Sequence, residues 1–332
     1  MKRIVFIVDE VNNDNKLSMI DTINKLSKYR LLSLIILTHE IELDISSKIE
    51  LYHLDYNIND LKKNKKEIID KISSLTTKND ILIYMSNDIS YLIPKQRMTI
   101  LEYYKSSKSF LSFKQKRINK GFDYFIFFDN IERNKIIKKY KGSFLVYPSN
   151  RYYPKFDVNQ KNNIIFINNE YEDPMKALKF ISMLNNKNIH FIMYGIKYEG
   201  KIKDYILENS LEKIVEVKYE YDKLDAYKNA DILFVTDMIN IKPVSAIEAL
   251  SQSLIILTYR KIDDISEKSS IIIDNKNINE AINEIKDLYI KNKKLEKYKT
   301  QAFNESLKYS NEVIIAKWLD ILSILDNSTY KQ

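Results

Sequence analysis

Pro148-Ser149-Asn150-Arg151-Tyr152-Tyr153-Pro154 divides the sequence, because two prolines and small polar residues interrupt every periodicity there; an interdomain linker is placed at this stretch. On its amino-terminal side, β-branched and aromatic runs alternate with polar segments of helical period. Strands are expected at Arg3–Val8, Leu32–Thr38, Ile49–Leu54, Ile81–Met85, Tyr124–Phe128 and Ser143–Tyr147, and helices at Leu17–Leu26, Asp60–Ser74 and Met98–Tyr104. Unbroken apolar runs such as Leu34-Ile35-Ile36-Leu37 suit a parallel sheet covered on both faces by crossover helices. On the carboxy-terminal side the rhythm restarts. Strands are expected at Asn163–Ile167, His190–Tyr194, Ile214–Val217, Ile232–Val235, Leu254–Thr258 and Ser270–Ile273, interleaved with helices Asp173–Leu184, Gly200–Asn209, Asp222–Lys228, Val244–Ser251 and Ile278–Lys291. A helical tail then runs to about Leu325.

The bulk composition agrees with two globular units. A chain of 332 residues exceeds what one hydrophobic core usually organises. Its 45% hydrophobic and 30% charged residues exclude both a disordered chain and a polytopic membrane protein. With Cys 0, disulfides, thiolate metal sites and cysteine nucleophiles are excluded, which fits a cytoplasmic location. The apolar run Ile4–Val8 after Met1-Lys2-Arg3 stops at Asp9-Glu10, too soon for a signal peptide, so it is read as a first strand. No stretch approaches the roughly 20 apolar residues of a transmembrane helix. A net charge of +8 favours anionic partners, and Gly 4 excludes most functions built on glycine-rich phosphate loops.

The richest signal lies in the second half. Tyr227-Lys228-Asn229-Ala230-Asp231-Ile232-Leu233-Phe234-Val235 is followed by Ile247-Glu248-Ala249-Leu250-Ser251 and then by Leu254-Ile255-Ile256-Leu257. In this register the sequence resembles retaining GT-B glycosyltransferases of the family-four type. Ile272-Ile273-Asp274-Asn275, Glu280-Ala281-Ile282 and the Lys291–Asn304 helix resemble that family's closing segments. The resemblance implies an α/β GT-B fold, two Rossmann-like domains facing across a cleft with a C-terminal helical tail. Residues 1–150 are then an acceptor domain, 151–305 a nucleotide-sugar donor domain, and 306–332 a helix packing back towards the first domain. It also implies retaining, metal-independent transfer from a nucleotide sugar, with no cofactor and no metal ligands, to a surface glycan, lipid-linked or protein acceptor.

Two acidic residues separated by seven others mark the family's donor site, where a helix amino terminus receives the diphosphate and the carboxylates grip sugar and ribose hydroxyls. Glu248 occupies the second position, and Asn240 stands at the first. Ile241 replaces the expected glycine, Pro243 removes a backbone donor, and Val244 opens the helix. The two family cations after the Asn163 strand are replaced by Asn168 and Asp173, so Lys197, Lys242 and Arg260 are the candidate substitutes. Gly195 matches the family's glycine after the next strand, and Tyr219 and Glu220 fall where the family's loop meets the nucleobase. On the acceptor side the candidates are Asp9, Glu10 and His39, all at expected strand ends.

The stretch Tyr91–Lys120 interleaves basic and aromatic residues with Glu102 as its only acid, a pattern suited to peripheral contact with an anionic membrane at its inner face; a nucleic-acid surface there is disfavoured. The lost acid, cations and glycines keep an alternative open: a non-catalytic GT-B homologue serving as a partner or acceptor-binding subunit.

Overall fold

The computed structural model describes residues 1–11, 14–39, 43–103, 120–128, 130, 133–134, 142–169, 172–236, 244–262, 265–274 and 276–328. Two compact units emerge. One comprises Met1–Ser149 and the returning segment Asn311–Gln332, the other Asn150–Ile239 and Pro243–Ser310, so the division falls inside the Pro148–Pro154 stretch.

Among the described residues the first unit holds seven strands: β1 (Ile4–Val8), β2 (Leu32–Ile36), β3 (Ile49–His53), β4 (Ile81–Tyr84), β5 (Met98–Tyr103), β6 (Tyr124–Phe127) and β7 (Ser143–Leu145). Their order is β3-β2-β1-β4-β5-β6-β7 and every pairing is parallel. Because side chains alternate across a strand, β1 feeds two cores. Ile4, Phe6 and Val8 face the helices α1 (Asp14–Leu26) and the terminal Asn311–Asp326, while Val5 and Ile7 face α2 (Lys65–Leu75). The two-sided burial accounts for the unbroken apolar runs.

Met98–Tyr104 is a correction to the sequence reading, since its first six residues form strand β5 rather than a helix. Met98 to Leu101 pair with Ile81 to Tyr84, and Ile100 to Tyr103 pair with β6. The segment is too short for an independent helix, and its β-branched Thr99 and Ile100 fit a strand buried on both faces. The expected helix Asp60–Ser74 is also shorter: a 3-10 turn at Ile58–Asp60, capped by the Asn57 side chain, precedes α2.

The second unit holds β8 (Asn163–Ile167), β9 (His190–Tyr194), β10 (Val215–Lys218), β11 (Ile232–Val235), β12 (Ile255–Thr258) and β13 (Ser270–Ile272) in the parallel order β10-β9-β8-β11-β12-β13. Its described helices are α3 (Pro174–Leu184), α4 (Gly200–Glu208), α5 (Lys223–Lys228), α6 (Val244–Ser251), α7 (Ile278–Ile290) and α8 (Asn292–Ser306). Here too the strands split by parity, Ile164 and Phe166 to one core and Ile165 and Ile167 to the other. A buried ion pair closes the amino edge of this sheet. Lys299 Nζ lies 2.9 Å from Asp231 Oδ1 and donates to the Asn159 carbonyl at 2.7 Å, while the Asp231 carboxylate also accepts from the backbone of Lys161 and Asn162.

The last helix, α9 (Asn311–Asp326), belongs to the first unit. Ile314, Trp318, Ile321, Leu322 and Leu325 enter the core beside β1, and the Trp318 ring meets Phe6 edge-on at 6.1 Å. Asp326 fixes its end, accepting from the Lys2 backbone N–H at 2.9 Å and from Arg30 Nη2 at 2.8 Å. Among the described residues, no helix is long and apolar enough to cross a membrane.

Candidate functional site

In an open parallel sheet, ligands collect where the strand order reverses, outside the carboxyl ends of the strands. The second sheet reverses between β8 and β11, and its strands bring most donor-side candidates to that edge. The β8 end runs into a short loop whose Asp173 caps α3, accepting from the N–H groups of Met175 and Lys176 at 3.0 and 3.1 Å, with Pro174 in the first turn. The loop is tied to the end of β11. Thr236 donates its N–H and its hydroxyl to Glu172 Oε2 at 2.5 and 2.6 Å, and the Asp173 N–H donates to Thr236 Oγ1 at 2.8 Å.

Capping geometry also aims a cation here, because the Asp173-Pro174 start places Lys176 in the first turn of α3. Its Nζ donates to the Thr236 carbonyl at 3.2 Å and lies 4.1 Å from the centre of the Tyr259 ring. Burial, with the Asp173 charge adding to it, pushes the Tyr259 hydroxyl up to about 12. Tyr259 therefore stays neutral at physiological pH and serves as a ring beneath the ammonium.

Gly195 follows β9 with φ +74, a conformation that L side chains rarely adopt, and its carbonyl accepts from the Asn168 amide at 3.3 Å. Tyr219 and Glu220 are exposed at the β10 end, with Lys197 Nζ 5.5 Å from the Tyr219 ring centre. Arg260 is exposed at the end of β12. Val244 is buried as the first residue of α6. Asn240, Ile241 and Lys242 lie outside the described residues.

Glu248 sits on α6 with no exposed surface. Arg151 Nε donates to its Oε1 at 2.5 Å, while Lys223 Nζ lies 2.9 Å and the Tyr227 hydroxyl 3.3 Å from its Oε2. Burying a carboxylate is tolerable only with such partners, and two cations around one anion leave the cluster an excess positive charge. Both oxygens expected to grip a ribose are thus engaged by the chain's own side chains. Sequence reasoning overlooked Lys176, Arg151 and Lys223. The Asp173-Pro174 cap was the available signal for the first, whereas nothing local marks the other two.

In the first sheet the order reverses between β1 and β4. Asp9, at the end of β1, is nearly buried with Lys16 Nζ 2.6 Å from its Oδ1, which also accepts the Glu10 N–H at 3.0 Å. Glu10 is half-buried, and His39 is exposed at the end of β2, its Nδ1 4.0 Å from Asp55 Oδ1. Of the Tyr91–Lys120 stretch, Leu92 is core and Arg97 is spent on local contacts, donating to the Thr76 carbonyl at 3.2 Å. Residues 104–119 lie outside the described set. Among the described residues, no three acidic or histidine side chains form a group able to hold a metal ion.

No protein-family model matches the chain, and no curated protein matches it in sequence. Solved structures do match it. TarM is similar over 99% of this chain and 99% of its own, at a TM-score of 0.80 and 12% identity. The sucrose-phosphate synthase of Thermosynechococcus elongatus is similar over 98% of this chain and 99% of its own, at 0.73 and 10%. WaaG, a glycosyltransferase involved in lipopolysaccharide biosynthesis, is similar over 96% of this chain and 99% of its own, at 0.69 and 10%. One S. aureus TarM crystal contains fondaparinux, alpha-GlcNAc-glycerol and UDP. With two parallel sheets of seven and six strands, these likenesses show that the chain has the GT-B fold.

Proposed function

We propose that the chain is a glycosyltransferase that moves a sugar from a nucleotide-sugar donor to a glycan, lipid-linked or protein acceptor, with retention and without a metal. The observation that carries the reading is the β8/β11 reversal of the second sheet, where the Lys176 ammonium reaches the end of β11 and Gly195 lies beside the end of β8. The second unit is then the donor domain. Helix α6, opening at Val244, directs its positive end towards the diphosphate, and Lys176 supplies a cation that the family places elsewhere. Asn240 and Lys242 serve the donor sugar and the departing phosphate, with Lys197 and Arg260 as further cations and Tyr219 and Glu220 at the base. Ile241, standing where the family has a glycine, belongs to the same donor-side set. A leaving diphosphate neutralised by fixed charge and dipole needs no divalent ion. Asp9, Glu10 and His39 mark the acceptor side of the first unit, and the enzyme works in the cytoplasm, with Tyr91–Lys120 resting on anionic lipid.

UDP is the first ligand to test, because it accompanies the similar TarM. At roughly 100 times its dissociation constant it should stabilise the chain by about 2.7 kcal/mol in a thermal-shift assay. Lys176→Ala should weaken that binding by about tenfold, the scale of one charge-assisted contact. Wild-type affinity in the variant would remove Lys176 from the site. No shift with any nucleoside diphosphate would remove the donor reading.

A second reading, a non-catalytic partner or acceptor-binding subunit, is favoured by the sealed state of Glu248 between Arg151 and Lys223. It predicts no nucleotide-sugar turnover and stable association with an active glycosyltransferase.

A further inference from the structure

A second concave surface of the second unit is lined by none of the β8 and β11 end residues. The strap Arg151–Lys155 runs beside α5 and the end of α6, leaving a groove of about 350 Å³ between them. The strap is fastened. The Lys155 N–H donates to the Ser251 carbonyl at 2.7 Å, Gln252 Nε2 donates to the Tyr153 carbonyl at 3.0 Å, and Ser253 Oγ donates to the Lys155 carbonyl at 3.0 Å. Underneath, the rings of Tyr152 and Tyr227 meet edge-on at 6.2 Å. The groove is therefore formed before any ligand arrives, which lowers the ordering cost of binding.

Its chemistry is one-sided. Arg151, Lys155 and Lys228 line it, and no acidic residue does. Two of these cations also hold carboxylates from outside the lining: Asp225 lies 3.4 Å from Lys228 Nζ, and buried Glu248 holds Arg151, which leaves Lys155 as the lining cation for which no ion pair is seen among the described residues. Beside these cations the Tyr153 ring is 92% exposed while its backbone is pinned, so an aromatic face is presented to solvent from a fixed point of the chain. Cations call for an anionic group, and a bare tyrosine face suits the C–H face of a pyranose. A volume at the small end of the range for ligand sites, about 300–1,000 Å³, fits one or two sugar rings rather than a polymer.

We propose that this groove is a binding site for a sugar bearing a phosphate or sulfate group. The inference goes beyond the transfer reading and holds whether or not a nucleotide sugar binds at the other edge. Calorimetric titration of the full chain with glucose-6-phosphate, glucose-6-sulfate, glucose and inorganic phosphate tests it. Either anionic sugar should bind at least about tenfold tighter than glucose or phosphate alone, since both halves of the groove then contribute. The exposed pair K155Q/K228Q should weaken that binding about tenfold, and Y153A should weaken it while leaving inorganic phosphate unaffected. All three side chains are at the surface, so the variants should keep the wild-type melting temperature. UDP titrations of the same proteins should be unchanged, which separates failure here from failure of the donor site. Equal affinity for inorganic phosphate, no binding of either anionic sugar, or wild-type binding in either variant would overturn the proposal.

Discussion

Glu248 illustrates how a residue can be found in the sequence while its surroundings are not. Its register after Tyr227–Val235 was legible, because strand, spacing and helix start all lie within one βα unit. Its partners were not, since Arg151 is 97 positions away and Lys223 belongs to a different helix. Only tertiary packing joins them. Removing the carboxylate leaves two largely buried cations facing each other, so Glu248→Ala should lower stability by about 3–5 kcal/mol in denaturant unfolding. A loss below about 1 kcal/mol would mean that the cluster carries little of the fold. Tyr227→Phe removes one neutral hydroxyl, which lies 3.2 Å from the Ser245 carbonyl and 3.3 Å from Glu248 Oε2, and should cost about 1 kcal/mol. The same measurement on both variants, repeated with UDP present, separates a stabilising role of Glu248 from direct contact with nucleotide.

Among the elements, α9 and β5 show opposite limits of sequence reading. Strands such as His190–Tyr194 and Ile232–Val235 announced themselves because burial on both faces demands a continuous apolar run. Met98–Tyr103 carries Glu102 within it, and that charge mimics the polar face of a helix although the residue is fully buried in the strand. For α9 the helical period was plain, but no local feature names the core it enters. Trp318 is the largest side chain that α9 buries, so Trp318→Ala should destabilise the first unit by about 3–5 kcal/mol, visible as an earlier melting transition. Acid should loosen the same helix. Burial raises the Asp326 carboxyl, but the Lys2 N–H and the Arg30 guanidinium outweigh it and hold the group below its ordinary value of 3.8. A folded value lowered in this way gives stability that is present above pH 3.8 and is lost as pH falls through the depressed value. Asp326→Asn should flatten that part of the acid-unfolding curve, and an unchanged curve would show that the contact contributes nothing.

At the level of the whole chain, each unit owns its cores, but only the second draws all of its segments from one span of sequence, Asn150–Ser310. The second unit's sheet, its covering helices and the Lys299–Asp231 pair all lie between Asn150 and Ser310. Expressed alone, that span should unfold cooperatively in denaturant, as self-contained domains of this size generally do. Residues 1–149 alone should not, because the core beside β1 lacks the apolar face of α9. A cooperative transition in the isolated amino-terminal fragment would contradict this account. Circular dichroism of the two fragments decides both points. The detached last helix also sets an order of events during synthesis. As the nascent polypeptide leaves the ribosome, its first seven strands emerge early yet wait for a closing piece encoded after the whole second unit. Through that interval an apolar surface flanking β1 stands uncovered, which makes the amino-terminal half the part of the newborn chain most in need of a chaperone.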